Sequence, residues 1–307
     1  MNPTTRAPST PPQPPTAPPR LLGGPRSAQY DAFHTARART DLVTRLYTQA
    51  MGDNYPAEVA ASSSCDRPLL HLLAARLSMQ PGQILVDAGC GTGGIGLWLA
   101  RTLNLRLAGF DLSPVAVAQA TARRPHFLGA AASRARFHVA DLEHTGLADG
   151  CAHGIVCVDA LSRATDRDAA LRELARSLAP GGRLVLTRAA RHRTTPAWAP
   201  QAHAAGLRVE HIDERPDEPL MWQRLYRLWI AHADELRREL GDVQAARMLS
   251  EAQQMLPRLP HRRAVLLTLA RPAATPAAAA GPAPGATMTA PGCRTVDGPV
   301  SRERTPQ

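Results

Sequence analysis

Residues 84–94, ILVDAGCGTGG, constrain the fold of this 307-residue chain more than any other segment. Three apolar residues lead into Asp87, and four glycines then open onto IGLWLA, a sequence typical of a helix. A glycine-rich turn between a strand and a helix lets the backbone approach a ligand and directs helix N–H groups at it. The segment therefore predicts an α/β fold with a ligand at one edge of its sheet.

Strand and helix signals alternate after this turn, as a parallel sheet requires. Ser113 and Pro114 are typical of a helix start, as N-cap and first-turn residue. Six further strands are predicted, at RLAGFD, RARFHVADL, GIVCVDAL, RLVLT, GLRVEHI and AVLLTLA. A helix precedes the fifth strand and is predicted to end at PGG, residues 180–182.

Both ends of the chain have the composition of disordered segments. Residues 1–29 hold nine of the 28 prolines and no acid, and residues 272–307 hold seven more prolines among alanine and glycine. Residues 30–271 are predicted to form one domain, with a helical lid at 30–80 and a helical insertion at 213–260.

Charge and apolar content argue against several classes of partner. All 36 basic residues are arginine, and in the folded region they alternate with acids, so the net charge of +10 does not indicate nucleic acid. No apolar run approaches the roughly 20 residues that span a bilayer, and the N-terminus lacks an apolar secretory core. The five cysteines lack metal-site spacing. We expect a cytoplasmic protein with no metal, nucleic acid or membrane partner.

The glycine turn allows two cofactors. Gly89, Gly91 and Gly94 satisfy G-x-G-x-x-G, the dinucleotide pattern. The whole segment also resembles hhhDxGxGxG, the first motif of class I S-adenosylmethionine (SAM)-dependent methyltransferases. That family has an acid at the position of Asp87, near the methionine part of SAM. The resemblance covers residues 81–270 and implies a Rossmann-like sheet of seven strands, the last one antiparallel.

Acids follow the second, third and fourth strands. Asp111 can accept hydrogen bonds from ribose hydroxyls in either class of enzyme. In the methyltransferase family, the position of Asp141 lies near the adenine amino group, and that of Asp159 faces the methyl group and the acceptor. Asp87, Asp111 and Asp141 at strand ends, in register with the glycine turn, favour SAM. The predicted cofactor residues are therefore Asp87, Gly89, Gly91, Gly93, Asp111, Leu112, Asp141 and Leu142.

The acceptor side departs from the family. Residues 51–56 resemble the FGYW-like segment of bacterial small-molecule methyltransferases, which makes Tyr55 a lid tyrosine near SAM. Residues 222–243 show a helical period with three aromatic residues, a pattern that also suits a core-packing stripe. In the family that the chain resembles, the insertion at this place covers the acceptor pocket. The paired histidines and the Asp that sugar O-methyltransferases often carry are replaced by Ser162, Arg163 and Arg188. Asp159 and His192 remain as candidate catalytic residues.

These observations predict methyl transfer to a small molecule, first of all to oxygen, in bacterial secondary metabolism. The missing bases leave N- and C-methylation open. They also motivate an alternative, a catalytically silent SAM-binding subunit or regulator of a biosynthetic complex. Nucleic-acid methylation is disfavoured, because DALS follows the fourth strand in place of an N/D-P-P-Y/F tetrad. A homodimer remains open.

Overall fold

The computed structural model describes residues 24–273. The predicted tails therefore lie outside the described residues, except for residues 24–29 and 272–273. Residues 25–29 were predicted to belong to the N-terminal tail, but they form the start of a helix that begins at Pro25. Proline suits the first helical position, because its φ is already helical and its missing N–H would have no partner there.

One mixed sheet forms the centre of the described region and confirms the predicted seven-stranded α/β fold. The first five strands pair in parallel, and the seventh is antiparallel to its neighbours, so that the order is β3-β2-β1-β4-β5-β7-β6. The strands are β1 (Ile84–Ala88), β2 (Arg106–Asp111), β3 (Ala135–Val139), β4 (Ala152–Cys157), β5 (Leu178–Arg191), β6 (Arg208–Glu214) and β7 (Arg262–Ala270).

Two strand boundaries differ from the predictions in ways that affect the site. β4 ends at Cys157 instead of residue 161, because Asp159 has a left-handed φ of +54° that a strand cannot accommodate. β5 begins at Leu178 and includes the PGG residues, and the preceding helix already ends at Ser177. Because β4 ends at Cys157, the Asp159 side chain projects from a turn at the sheet edge and not from the strand.

Ten α-helices flank the sheet within residues 24–273. Ser113 caps the fifth helix as predicted, since its hydroxyl accepts a hydrogen bond from the Ala116 N–H at 3.1 Å. The helices are α1 (Pro25–Arg37), α2 (Leu42–Met51), α3 (Arg67–Leu77), α4 (Gly94–Thr102), α5 (Pro114–Leu128), α6 (Arg167–Ser177), α7 (Trp198–Ala204), α8 (Glu218–Ala231), α9 (Ala233–Leu240) and α10 (Asp242–Met255).

Alternation along the strands divides the apolar core between the two faces of the sheet. Leu85 of β1 packs with α3 and α4 on one face, and Val86 packs with α6 and α7 on the other. A third apolar cluster joins α2 to α8, α9 and α10 and forms a helical layer beyond the sheet edge. The predicted helical period over 222–243 is divided among these three helices, with Gly241 at φ +82° separating α9 from α10.

No helix within the described residues is long and apolar enough to cross a membrane. The charges of the helices are partly paired between elements, as in the bidentate contact of Arg76 on α3 with Asp213 on β6.

The contact between Gly109 on β2 and Phe137 on β3 allows a test of side-chain packing within the sheet. The two residues pair across the strands, and a Cβ at Gly109 would lie 2.5 Å from the Phe137 ring. We expect Gly109→Ala to lower the free energy of unfolding by about 1–3 kcal/mol, since the added methyl overpacks this contact. Urea denaturation measures the change.

The double variant Gly109→Ala/Phe137→Leu provides the control. A smaller, more flexible side chain at residue 137 should relieve the clash, so the alanine should cost less in that background. An equal cost in both backgrounds would contradict the assigned contact.

Candidate functional site

The turn between β1 and α4 needs glycine for two reasons: its backbone has positive φ angles, and a neighbouring side chain leaves little room for a Cβ at Gly89. Gly89, Gly91 and Gly93 have φ values of +73°, +52° and +75°, in the region that side chains disfavour. A Cβ on Gly89 would lie 2.5 Å from the Ala160 Cβ, whereas one on Gly91 would meet only His34, at 3.8 Å. Gly89 therefore packs against the turn after β4, and Gly91 leaves the backbone accessible.

Asp87 supports this turn from below. Its side chain faces α4, because Leu85 two residues earlier packs on the same face of the sheet. Its Oδ2 accepts a hydrogen bond from the Gly96 N–H at 2.9 Å, in the first turn of α4. Burial raises the Asp87 pKa to about 7, with only 3% of the residue exposed. Asp87 thus contacts the protein backbone, and it does not line the cavity described below.

Asp111 holds the turn from the side. Its Oδ2 accepts a hydrogen bond from the Gly91 N–H at 2.8 Å, and its Oδ1 accepts one from the Ser113 N–H at 2.9 Å. Burial raises its pKa, and these two hydrogen bonds oppose that change. Each carboxylate oxygen can accept a further hydrogen bond. Asp111 is therefore fixed in place and still able to bind donors of a ligand.

A cavity of about 940 Å³ opens at the carboxyl edge of the sheet, where ligands bind in folds of this kind. Its wall includes Asp111, Asp141 and Asp159, three of the four acids that were predicted at strand ends, whereas Asp87 lies outside it. Asp141 also contacts His144, with 3.0 Å between its Oδ1 and Nδ1 of the imidazole. The other predicted cofactor residues that line the cavity are Gly89, Gly91, Leu112 and Leu142.

Three further predicted residues lie outside this wall, like Asp87. Gly93 packs on α5, where a Cβ would be 2.8 Å from the Ala120 Cβ. Tyr55 is buried against Tyr47, with 6.1 Å between the ring centroids, and lines a neighbouring cavity of about 410 Å³. His192 is exposed in the turn after β5, because β5 continues to Arg191 and carries the turn past the sheet edge.

Asp159 lies in the cavity wall with both carboxylate oxygens engaged. Its Oδ2 accepts a hydrogen bond from the Ser64 N–H at 2.7 Å, and its Oδ1 accepts one from the Thr187 hydroxyl at 2.9 Å. The Asp159 N–H donates to the same hydroxyl at 2.7 Å. These contacts stabilise the strained φ of +54° and hold the carboxylate at the cavity.

Helix α1 supplies cavity residues that the sequence analysis missed. Tyr30, Phe33, His34 and Arg37 recur at i, i+3, i+4 and i+7, so they share one face, and all four line the cavity. Burial lowers the His34 pKa to about 4, so the imidazole beside the glycine turn is neutral at pH 7. The spacing could have indicated this face, but the sequence analysis only placed these residues in the helical lid 30–80 and named Tyr55 as the lid residue near SAM.

Aromatic side chains from α2 and α8 form the far wall of the cavity. Tyr47, Trp222 and Trp229 line it, with 6.4 Å between the ring centroids of Tyr47 and Trp222. Tyr226 stacks on Trp222 at 5.3 Å and contacts Trp229 at 5.2 Å. Helix α10 adds Gln244, Arg247, Met248 and Glu251 to this wall. We call the part of the cavity that is lined by these residues and by Tyr47, Trp222 and Trp229 the aromatic chamber.

The raised pKa of Asp87 predicts a pH-dependent effect of Asp87→Asn. Between about pH 4 and pH 7, the folded wild-type protein holds a proton that the unfolded chain releases, so its free energy of unfolding falls as pH rises. The neutral variant lacks this loss. Since one pKa unit corresponds to about 1.4 kcal/mol, we expect the variant to gain about 2–4 kcal/mol relative to wild type across this window.

Urea denaturation of both proteins between pH 4.5 and pH 8 measures that difference. Other titrating groups, such as His34, are common to both proteins and cancel in the comparison. A difference independent of pH would contradict the assignment to Asp87.

Sequence comparison finds a family described as "Methyltransferase domain" at residues 86–186. The methyltransferase GfsG of Streptomyces halstedii is 28% identical over 151 residues, 48% of this chain and 53% of that protein. The 27-O-demethylrifamycin SV methyltransferase of Amycolatopsis mediterranei (strain S699) is 28% identical over 158 residues, 51% of this chain and 55% of that protein. The chain thus spans about half the length of these relatives.

Solved structures share the fold over most of the chain. The [4+2]-cyclase SpnF has a TM-score of 0.63 and 22% identity, over 81% of this chain and 97% of SpnF. Phosphoethanolamine N-methyltransferase 2 of Haemonchus contortus, in complex with phosphomonomethylethanolamine and S-adenosylhomocysteine, has a TM-score of 0.57 and 18% identity, over 78% and 60% of the two chains. The chain thus contains a match to a methyltransferase domain at residues 86–186, and its strand order is that of the class I SAM-dependent methyltransferase fold.

Proposed function

We propose that this protein transfers the methyl group of SAM to an oxygen of a small molecule, in bacterial secondary metabolism. One observation carries the proposal. Asp111, Asp141 and Asp159 stand at one sheet edge, in the wall of a single cavity that continues into the aromatic chamber. A cavity of about 940 Å³ suits a cofactor together with a small acceptor.

The residues at the sheet edge fit SAM. Asp111 has acceptor capacity left for ribose hydroxyls, and the cavity-lining backbone at Gly89 and Gly91 allows close approach of the rest of the molecule. Asp141 and Leu142 would flank the adenine. When bound, SAM supplies an electrophilic methyl group, so the protein's own tasks are to orient the acceptor and to exclude water.

The names of the relatives support a small acceptor. The rifamycin enzyme is named for an oxygen of its substrate, whereas the Haemonchus enzyme is named for a nitrogen. The enclosed aromatic wall of Tyr47, Trp222 and Trp229 favours an apolar small molecule over a polymer. Oxygen remains the first choice of acceptor atom.

Asp159 is the proposed acceptor-side carboxylate. Ser64 and Thr187 hold it in place, so it can orient a donor group of the acceptor without moving. His192 takes no part in this proposal, because it is exposed and outside the cavity wall. Arg163 stands where the family often has a histidine, and it lines the cavity. Its Nη2 lies 3.7 Å from the Glu251 Oε1.

A second function is a SAM-binding subunit or regulator that transfers no methyl group. Ser162, Arg163 and Arg188 stand in place of bases that the family often uses, and Arg188 contacts Gln201 outside the cavity wall. The similar structure SpnF is named a cyclase, so this fold also serves other functions.

Asp111→Ala tests the cofactor site. We expect affinity for S-adenosylhomocysteine to fall by about 10- to 100-fold, since both the ribose contact and the Gly91 anchor are lost. Calorimetric titration measures it. The matched control is Asp66→Ala, which removes an aspartate that caps α3 through the Leu69 N–H, outside the cavity wall. Equal affinities in the two variants would contradict the assignment.

Methyl transfer itself is tested with SAM labelled on its methyl carbon. The protein is incubated with a panel of phenols, enols and amines, and products are analysed by mass spectrometry. We expect label on oxygen of at least one hydroxylated acceptor. Binding of SAM with no labelled product across the panel would favour the silent subunit instead.

A further inference from the structure

The Arg37 side chain lies half-buried in the cavity wall, and no acid within residues 24–273 forms an ion pair with it. Its Nε and Nη1 are shielded from solvent and have no hydrogen-bond partner among these residues. The guanidinium lies 4.1 Å from the Phe33 ring centroid and 5.8 Å from that of Tyr47. Burial lowers the Arg37 pKa, and Tyr47 is the main group that opposes this effect. Two N–H donors of this cavity-lining guanidinium therefore lack an acceptor, and an oxygen ligand that packs against Arg37 could satisfy them.

Trp229 adds a second available donor to the same cavity. The residue is 4% exposed, and its Nε1 is buried without a hydrogen-bond partner. An indole nitrogen can only donate, and buried donors of this kind normally have acceptors. The donors of Arg37 and Trp229 together indicate a ligand that presents oxygen acceptors to the aromatic chamber.

The titratable groups that act on the Arg37 guanidinium include residues of the aromatic chamber. Tyr47 on α2, Tyr55 after it and Glu251 on α10 act on the guanidinium, and His34 precedes it by one turn of α1. Glu251 is already engaged by the Tyr226 hydroxyl at 3.0 Å and by Arg163 at 3.7 Å. Arg247 adds another positive charge to the wall. This part of the cavity thus suits an anion better than a cation.

We propose that Arg37 and Trp229 form an oxyanion site for the acceptor, and that the acceptor is a phenol or enol bound in its ionised form. The inference rests on the proposed oxygen methylation. Aromatic walls suit a planar conjugated molecule, and such molecules carry acidic hydroxyls. On binding, the acceptor O–H bond breaks, its electron pair stays on oxygen, and the proton passes to solvent.

This site would compensate for the missing bases. An oxygen that is already ionised is a nucleophile, so no side chain has to remove its proton during transfer. The guanidinium would shift the acceptor equilibrium toward the ionised form, because an opposite charge in a dry site favours the anion. Arg37 and Trp229 would also orient the acceptor relative to the glycine turn.

Binding of 4-nitrophenol, whose ionised form absorbs visible light, tests the proposal. With S-adenosylhomocysteine present, we expect at least tenfold tighter binding of the phenolate than of nitrobenzene, an uncharged analogue. We also expect the pKa of the bound phenol to fall by at least one unit. Absorbance titration and quenching of tryptophan fluorescence give the two affinities.

Arg37→Gln should abolish both effects, and Arg39→Gln is the matched control, since Arg39 is an exposed arginine just beyond α1. Retained binding of S-adenosylhomocysteine shows that the variant is folded. An unchanged preference in Arg37→Gln would overturn the proposal, as would equal or undetectable binding of both probes to wild type. Failure of wild type to bind S-adenosylhomocysteine would instead overturn the proposed function.

The methionine carboxylate of SAM is the competing source of an oxyanion. Titration with S-adenosylhomocysteine and with methylthioadenosine, which lacks that carboxylate, separates the two sources. We expect Arg37→Gln to leave both affinities within about twofold of wild type. A loss confined to S-adenosylhomocysteine would assign Arg37 to the cofactor and overturn the proposal.

Stability without ligands gives an independent measurement. Buried N–H groups without acceptors destabilise the folded state, so replacing the Nε and Nη1 donors in Arg37→Met should raise the thermal midpoint by about 2–4 °C. Arg39→Met should leave it unchanged. A lower midpoint for Arg37→Met would show that the arginine stabilises the fold and would overturn the proposal.

Discussion

Two buried carboxylates hold one glycine turn, and the rest of the site depends on them. Asp87 binds the Gly96 N–H from below, and Asp111 binds the Gly91 N–H from the side. Gly89, Gly91 and Gly93 in this turn all have positive φ angles, and such a glycine-rich turn would otherwise have many alternative conformations. The carboxylates fix it, and the first turn of α4 with it, at the edge where β1, β2 and β4 end.

The site combines two layers with different physical properties. The sheet edge is acidic and rigid, since Asp111 and Asp159 are each held by two hydrogen bonds from other residues. The second part of the cavity wall, from helices α1, α2, α8 and α10, is aromatic and carries the donors of Arg37 and Trp229 that lack partners within residues 24–273. The first layer suits a polar cofactor. The second suits a planar acceptor with an acidic hydroxyl, as we propose.

The predictable part of the site is the part that lies next to strands in the sequence. Asp111 and Asp141 could be predicted, because an acid that follows an apolar run marks the end of a strand at a common edge. Arg37 and Trp229 could not, because they meet only when α1 and α8 pack around one cavity. Tyr55 and Tyr47 lie eight residues apart, and only the packing of α2 decides which of them lines the main cavity. His192 was expected near the site, but the length of β5 carries it away.

The cofactor assigned to the glycine turn is the central claim, and isothermal titration calorimetry tests it most directly. Wild-type protein is titrated separately with S-adenosylhomocysteine and with NADP at the same ionic strength. The account predicts one site of about micromolar affinity for S-adenosylhomocysteine and no binding heat for NADP. Binding of NADP without a response to S-adenosylhomocysteine would contradict it, because the same glycine turn would then hold a dinucleotide.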